Sequence, residues 1–271
     1  MQKINHKEPD KFLREYISQA PLALAFERAQ ECYLYPDELV KPKVLDFGCG
    51  DGIFNSIAFR KKIECGLDLN YRELLSAKKT GSYQQLINAS GYALPFKNEI
   101  YRTIIANSVV EHIPDLDRVL IEFRRILSPS GIIFLTIPTS KFDEASLIYN
   151  VLGFLGFKRL QKEFKKIYNK FWKHYHYYTV EEWYNIFQKA GFKDIKLQTY
   201  ESKKMALMND ALVIFSGFSF MVKKITNRFI IFPKFRKEIF SPFFSSIEKI
   251  ISKSNRLNGQ GVLLFCTLKK G

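Results

Sequence analysis

The sequence contains few cysteines, and their spacing forms no pattern. Among its 271 residues are four cysteines, Cys32, Cys49, Cys65 and Cys266, with no C-x-x-C pair and no repeated spacing. This distribution argues against a disulfide framework and against a cysteine-rich zinc site, both of which need regularly spaced cysteines. We therefore expect a protein of a reducing, cytosolic compartment.

Long hydrophobic runs are absent as well. The first 11 residues carry charges and lack the apolar stretch of about 7 to 15 residues that a signal peptide needs, so we predict no signal peptide. The nearly uncharged run at residues 211–222 is shorter than the about 20 residues with which a helix crosses a bilayer. We predict no transmembrane span.

Acidic residues are fewer than basic ones. The chain has 42 lysines and arginines against 27 aspartates and glutamates, which gives a formal net charge of +15. Such a charge attracts polyanions, among them nucleic acids, anionic membrane surfaces and phosphorylated substrates. A basic, solvated surface without a polyanionic partner explains the charge equally well, because net charge governs solubility and association rather than fold.

What the sequence does contain is the alternation of an α/β protein. Its hydrophobic content of 46% is typical of a globular chain, and its length suits one domain. Short apolar runs alternate with helical patterns, which indicates βαβ units and a parallel sheet. We divide the single domain (1–271) into a helical lead-in (1–42), a cofactor-binding core (43–138), a helical insertion (139–178), the rest of the core (179–200 and 261–271) and an aromatic and basic helical insertion (201–260).

Three alternating glycines follow the first buried strand, in the segment V-L-D-F-G-C-G-D-G at residues 44–52. Glycine lets the backbone approach a ligand closely, and nucleotides bind at the carboxyl edge of a parallel sheet. The next strand ends at Asp68, 22 residues after Asp46, where a carboxylate can accept hydrogen bonds from ribose hydroxyls. The dinucleotide motif G-x-G-x-x-G would need a glycine in place of Ile53, so a nicotinamide enzyme is disfavoured.

These motifs resemble the class I S-adenosylmethionine-dependent methyltransferases, particularly the small-molecule enzymes that carry the motif V-L-D-x-G-C-G-x-G. The resemblance continues through G-L-D-L (66–69), A-L-P-F (93–96), N-S-V-V-E-H-I (107–113) and R-R-I-L-S-P-S-G (124–131), and it resumes at residues 178–192. It implies S-adenosylmethionine as cofactor. It also implies a Rossmann-like α/β fold: a seven-stranded, mostly parallel sheet with helices on both faces and the last strand antiparallel, to which the helical insertions are added.

The resemblance implies nine cofactor-binding residues. They are Asp46, Gly48, Cys49, Gly50, Asp68, Leu69, Asn88, Ala89 and Asn107. The first four would line the methionine end of the cofactor, Asp68 would bind the ribose hydroxyls, and Leu69 would pack on the adenine. Asn88 and Ala89 match the adenine-binding position, with asparagine in place of the usual aspartate and Ser90 as a competing candidate. Asn107 would offer its backbone carbonyl to the methionine ammonium.

The acceptor side of the reaction offers one acid and one histidine next to each other. Glu111 and His112 follow the fourth strand, and we predict them as catalytic residues, with His112 as a general base for an oxygen acceptor. The alternative is that both only shape the turn before the next helix. Some small-RNA 2'-O-methyltransferases hold a divalent ion with an E-x-x-E-H cluster. Here Ser108 replaces the first acid, and His174 or His176 would have to supply a ligand, so we predict no metal.

The predicted reaction is in-line methyl transfer to an oxygen or carbon atom of a small-molecule or lipid-linked acceptor. The segment from Asn107 to Val110 lacks the N/D-P-P-Y/F motif of enzymes that methylate base amines. Two alternatives stay open: an RNA methyltransferase, which the charge favours, and a non-catalytic scaffold of the same fold.

The partners are the acceptor and, from the basic and aromatic second insertion, an anionic membrane surface. A cap whose aromatic side chains are simply buried explains that insertion equally well. Nucleic acid is a less favoured partner because the sequence has no recognisable RNA-binding motif. We expect a cytoplasmic protein with peripheral membrane contact, and the sequence leaves the oligomeric state open.

Overall fold

The computed structural model describes residues 11–36, 40–59, 61–226, 228–254 and 261–271. Two helices precede the sheet, α1 (Lys11–Gln19) and α2 (Leu22–Cys32). The remaining helices are α3 (Ile53–Ala58), α4 (Tyr71–Thr80), α5 (Leu116–Ile126), α6 (Leu147–Phe154), α7 (Lys158–Phe171), α8 (Val180–Lys189), α9 (Lys203–Thr226), α10 (Pro233–Phe240) and α11 (Phe244–Ser254), with short 3-10 turns at Val110–His112, Asp143–Ala145 and Ser241–Phe243.

A seven-stranded sheet forms the centre of the molecule. Its strands are β1 (Val44–Phe47), β2 (Ile63–Asp68), β3 (Tyr83–Asn88), β4 (Tyr101–Asn107), β5 (Leu127–Pro138), β6 (Phe192–Tyr200) and β7 (Leu263–Lys270). They lie in the order β3-β2-β1-β4-β5-β7-β6, and β7 is antiparallel to both of its neighbours while the other pairs are parallel. The predicted Rossmann-like sheet with an antiparallel last strand is confirmed.

The sheet is covered on both faces because its central strands are apolar throughout. All four residues of β1 are buried, as expected of a parallel strand between two layers of helices. One face packs against α5 and α8, whose Phe123, Trp183 and Phe187 are buried. The other face packs against residues that include Leu74 of α4 and Ala206 of α9. A third apolar cluster joins α1 and α2 to α9 and α11.

The helix that precedes β6 shows how local sequence fixes an element. The Thr179 hydroxyl accepts a hydrogen bond from the Glu182 backbone N–H, and the Glu182 carboxylate accepts one in return from the Thr179 N–H. This capping box satisfies donors that the first turn of α8 would otherwise leave without partners. The helix ends before Gly191, whose φ of +83° is one that glycine adopts readily.

No single helix in the described part of the chain is long and apolar enough to cross a membrane. The halves of α9, Lys203–Val213 and Ser216–Thr226, are bent by 57° and meet the criteria of length and composition only as a pair. Near the start of α9, Met205 and Ala206 are buried in the interior of the protein, where they pack against the apolar clusters described above.

Candidate active site

A cavity of about 350 Å³, here called the edge cavity, lies at the carboxyl ends of β1, β2 and β4. Its walls include Gly48, Asp68, Leu69, Ala89, Ser90 and His112. Parallel strands bind ligands at this edge, where the strand order reverses between β1 and β4. Four of the nine predicted cofactor-binding residues therefore line one cavity: Gly48, Asp68, Leu69 and Ala89.

The glycine turn forms one end of the edge cavity. Gly48, Gly50 and Gly52 all have positive φ, at +72°, +53° and +76°. A Cβ atom on Gly48 would lie 2.5 Å from Val109 Cγ2, whereas one on Gly50 would meet no described atom within 4 Å. Gly48 is thus required by close packing as well as by its backbone conformation, while Gly50 adjoins open space.

Asp68 is held in place by two backbone donors. The N–H of Gly50 donates to its Oδ2 at 2.9 Å, and the N–H of Asn70 donates to its Oδ1 at 2.7 Å. A carboxylate offers about four acceptor sites, so about two remain for a ligand in the cavity. The position suits the predicted contact with two ribose hydroxyls.

The residues predicted at the adenine end lie at the carboxyl ends of β2 and β3. Leu69 is 75% exposed, so its apolar side chain is open to contact by a flat ring. The amide of Asn88 donates to the carbonyls of Asp68 and Leu69, at 2.9 and 2.8 Å, and does not line the cavity. Ala89 and the competing candidate Ser90 both do. An aspartate at position 88 could not make these donations, which gives asparagine a structural purpose here.

Two predicted residues lie behind the cavity wall. Asp46 is buried, its Oδ2 accepts a hydrogen bond from the Tyr83 hydroxyl at 2.7 Å, and burial raises its pKa to about 7. Cys49 is also buried, and burial raises the pKa of its thiol. Neither side chain lines the edge cavity, so their contact with the methionine end stays a prediction.

A second cavity, of about 180 Å³ and here called the helix cavity, adjoins the first. It lies among α2, α7 and α9, and its walls include Arg28, Glu111, Tyr168, Trp172, Asn209 and Phe220. Two residues line both cavities, Ser108 and His112. Ligands in the two cavities would therefore meet at these side chains.

A buried polar network connects α2 to the end of β4. Glu31 is fully buried and accepts hydrogen bonds from Arg28 at 2.6 Å, from Asn107 at 2.7 Å and from the Tyr200 hydroxyl at 2.8 Å. Arg28 also donates to Ser108 Oγ at 2.8 Å. The network fixes Ser108, whose φ of +53° is unusual for a residue other than glycine.

The side chain of Asn107 belongs to this network rather than to the edge cavity. Its Oδ1 accepts hydrogen bonds from the hydroxyls of Tyr35 and Thr136, both at 2.9 Å. The predicted role of its backbone carbonyl is untouched by these side-chain contacts and stays a prediction.

The helix cavity is acidic although the chain as a whole is basic. Its walls include the carboxyl groups of Glu27, Glu111 and Glu201, with Arg28 as the nearby cation. Burial raises the pKa of Glu27 to about 7 and that of Glu111 to about 8, and it raises the pKa of Glu201 well above its usual range. Asp210, also on the wall, accepts hydrogen bonds from the Tyr168 hydroxyl and the Leu147 N–H and so anchors α6 and α7 to α9.

The predicted catalytic residues lie together with a third residue. His112 Nε2 is 3.8 Å from Glu111 Oε1, and the rings of His112 and His174 are 5.2 Å apart. Burial lowers the pKa of His112, and burial together with the neighbouring His112 lowers the pKa of His174 to about 4. His176 points elsewhere, since its ring nitrogens contact the Ile113 carbonyl at 2.9 Å and the Tyr178 hydroxyl at 3.1 Å.

The sequence interpretation missed the residues that the lead-in contributes. Arg28 and Glu31 were assigned only to a helix, yet they support the wall between the two cavities. The available signal was a run of polar residues within an otherwise apolar helix, L-A-L-A-F-E-R-A-Q-E-C. The sequence carries no comparable signal that Glu201 lines the helix cavity, because its position there depends on how α9, which follows it, packs.

The sequence matches the family described as "Methyltransferase domain" over residues 10–197, which is more than half of the chain. The chain belongs to this family. It is an S-adenosylmethionine-dependent methyltransferase, and S-adenosylmethionine is its cofactor.

Similar curated proteins include enzymes with different acceptors. An uncharacterized protein of Methanocaldococcus jannaschii is 30% identical over 156 residues, which cover 58% of this chain and 67% of that protein. A ubiquinone biosynthesis O-methyltransferase of Pasteurella multocida is 28% identical over 49% of this chain and 65% of its own length. A sterol 24-C-methyltransferase of Gibberella zeae is 32% identical over 40% of this chain and 32% of its own length. The methyltransferase thus spans about two thirds or less of these relatives.

Similar solved structures support the fold along nearly the whole chain. An S-adenosylmethionine-dependent methyltransferase from Thermotoga maritima superposes with a TM-score of 0.55 at 18% identity, covering 96% of this chain and 92% of that one. Another, from Archaeoglobus fulgidus, gives a TM-score of 0.50 at 16% identity, covering 91% and 93%. At such low identity the likeness concerns the fold alone.

Proposed function

We propose that this methyltransferase transfers the methyl group in line to an oxygen or carbon atom of a small-molecule or lipid-linked acceptor bound in the helix cavity. The observation that carries the proposal is that Ser108 and His112 line both cavities. A cofactor in the edge cavity and an acceptor in the helix cavity would meet at these residues, as in-line transfer requires.

The edge cavity would hold the cofactor through the groups on its wall. Asp68 would accept hydrogen bonds from the ribose, Leu69 would pack on the adenine, and Gly48 and Ala89 would permit close approach of the backbone. When bound, S-adenosylmethionine supplies an electrophilic methyl group on its sulfonium. The enzyme then needs to align the acceptor and exclude water rather than supply many catalytic groups.

The helix cavity is suited to excluding water. Tyr168 and Trp172 reach it from the first insertion, and Phe220 reaches it from the second, so the acceptor would be enclosed by both insertions. His112 lines both cavities, Glu111 lines the helix cavity beside it, and the two remain the proposed catalytic pair. The acceptor would combine an apolar body with polar groups that pair with the acids of the wall.

The names of the relatives support oxygen and carbon as acceptor atoms. The Pasteurella multocida relative is named an O-methyltransferase of ubiquinone biosynthesis, and the Gibberella zeae relative is named a sterol 24-C-methyltransferase. The second name specifies a sterol, which is a largely apolar acceptor. An apolar acceptor would fit a cavity that aromatic side chains help to enclose.

The test is incubation of the purified protein with methyl-labelled S-adenosylmethionine and a fractionated cell extract. We expect label in the lipid or small-molecule fraction, lost in Asp68→Ala and retained in Glu181→Ala, which removes an exposed acid on α8. Label in RNA would instead support the alternative of an RNA methyltransferase. Absence of label from every fraction, in a protein that binds the cofactor, would contradict the proposal and favour a non-catalytic scaffold.

We further propose that the enzyme is cytoplasmic and that the surface of the two insertions makes peripheral contact with an anionic membrane. Phe154, the last residue of α6, is 91% exposed; Leu155 and Phe157 in the following loop are exposed too, and Lys158 and Arg159 begin α7 directly after them. Exposed apolar patches of this kind mark interaction sites, and basic residues beside them favour anionic lipid. Because α7 and α9 also line the helix cavity, a lipid-linked acceptor would enter from this surface.

Sedimentation with lipid vesicles tests the membrane contact. We expect binding to vesicles of phosphatidylcholine with phosphatidylglycerol, little binding to phosphatidylcholine alone, and a clear loss in the double variant Phe154→Ser/Phe157→Ser. The matched control is Ile121→Ser, which removes an exposed apolar side chain from α5. Equal binding by the double variant and the control would contradict the proposed surface.

A further inference from the structure

We propose that Glu111, His112 and His174 form a binding site for one divalent first-row transition-metal ion at the wall between the two cavities. Each residue offers one ligand atom, and these atoms all lie within 4.8 Å of one another. Two imidazoles and one carboxylate form a ligand set that such ions favour. The proposal departs from the expectation of no metal that the sequence supported.

The distances allow a cation to be bound with small side-chain adjustments. Ligand atoms about 2.1 Å from a metal ion lie roughly 3 to 3.5 Å from one another in tetrahedral or octahedral geometry. His112 Nε2 and Glu111 Oε1 are already 3.8 Å apart. The ligand atom of His174 lies within 4.8 Å of the other two, so an ion bound by all three would draw them together by at most about 1 to 2 Å per pair.

The hydrogen bonds of His112 leave the correct nitrogen free. Its Nδ1 lies 3.2 Å from the Lys173 backbone carbonyl. A carbonyl oxygen only accepts, so Nδ1 carries the hydrogen and Nε2 keeps its lone pair. Metal-binding histidines are commonly oriented in this way, by a carbonyl or carboxylate that accepts from the second nitrogen.

The ring of His174 is likewise oriented by an oxygen that accepts from its Nδ1, in this case the side-chain amide oxygen of Asn169. Its Nδ1 lies 3.3 Å from Asn169 Oδ1. The amide cannot be turned round, because Asn169 Nδ2 donates to Asp143 Oδ2 at 2.8 Å and to the Lys165 carbonyl at 3.0 Å. Asn169 Oδ1 must then accept from His174, which leaves Nε2 of His174 available as a ligand.

Glu111 supplies an oxygen that otherwise lacks a partner. The residue is 2% exposed, and its Oε2 makes no hydrogen bond to any described residue. Leaving a buried polar atom unsatisfied is unfavourable, so native proteins rarely do so without a reason. A cation held between the carboxylate and the two imidazoles would satisfy this oxygen.

Among the described residues the site has three protein ligands, because two neighbouring candidates, Ser108 and His176, already have other partners. Ser108 Oγ accepts from Arg28, and both ring nitrogens of His176 have other partners. Three protein ligands leave positions open for water or substrate, as in catalytic metal sites. If the proposed transfer in the helix cavity is correct, an acceptor hydroxyl bound there would lose its proton to solvent more readily.

Cobalt titration tests the site independently of methyl transfer. The full-length protein, dialysed against EDTA and then freed of it, is titrated with CoCl₂ and followed by visible absorption and calorimetry. We expect one equivalent to bind, with affinity lowered about tenfold or more in His174→Ala and in Glu111→Gln. His176→Ala is the matched control and should bind cobalt as the unchanged protein does.

Circular dichroism and S-adenosylmethionine binding show whether each variant is folded. Absence of cobalt binding, or equal affinity in the folded His174→Ala and His176→Ala variants, would overturn the site. Methyl transfer is measured separately, so its failure tests the proposed function and leaves the cobalt result intact. Transfer that depends on added metal in the unchanged protein but not in His174→Ala would further support the site.

Discussion

Replacement of Asp68 should weaken binding of S-adenosylmethionine about a hundredfold. The backbone N–H groups of Gly50 and Asn70 occupy one acceptor site on each carboxylate oxygen, so about two sites remain for ribose hydroxyls. Hydrogen bonds to a charged group contribute about 1.5 kcal/mol or more each. Loss of two such bonds in Asp68→Ala amounts to about 3 kcal/mol, which corresponds to about two powers of ten in Kd.

Isothermal titration calorimetry with S-adenosylmethionine measures this change directly. Asp68→Asn, which retains the shape of the side chain but loses its charge, should have an intermediate effect. The matched control is Glu73→Ala on α4, since Glu73 pairs with Lys223 and does not line the edge cavity. A Kd for folded Asp68→Ala within about threefold of the unchanged protein would refute the assignment of Asp68 to the ribose, because even one lost hydrogen bond would exceed that change.

Three further outcomes are expected. Burial raises the pKa of Asp46 to about 7, so the protonated carboxyl group stabilises the fold, and this contribution is lost as pH rises through about 7. The free energy of unfolding in urea should therefore fall between pH 5 and pH 8, and the fall should be about 3 kcal/mol smaller in Asp46→Asn than in the unchanged protein. Gly48→Ala should lower the Tm more than Gly50→Ala, because only the first places a Cβ against Val109, and thermal unfolding compares them. Thr179→Ala should cost about 1 kcal/mol in urea unfolding through loss of the cap of α8.

The sheet and the glycine turn could be predicted because their signals are local. The buried strand that ends in three alternating glycines specifies a tight turn, and the positive φ angles of Gly48, Gly50 and Gly52 agree with it. Thr179 and Glu182 likewise carry a capping signal within four residues. Each of these predictions depends on neighbours in sequence rather than on tertiary packing.

The helix cavity could not be predicted because its walls come from distant parts of the chain. Arg28 lies in the lead-in, Glu111 follows β4, Trp172 follows α7, and Asn209 lies in α9. Composition marked the insertions as aromatic and basic, but it did not indicate that acids would gather on their inner side. Nor could the sequence distinguish His174 from His176, which stand two residues apart and differ only in where the chain directs their rings.

The meeting of the two cavities follows from the strand order. Because β1 and β4 are neighbours whose connections leave in opposite directions, a crevice opens at their carboxyl ends. The segment after β4 must cross this crevice, and the contacts of Ser108 with Arg28 and Thr136 fix it there. Ser108 and His112 of that segment therefore line both the edge cavity and the helix cavity. The position of His112 between the two cavities thus follows from the topology, whereas the walls of the helix cavity combine the lead-in, the segment after β4 and both insertions, so the choice of acceptor would depend on all three.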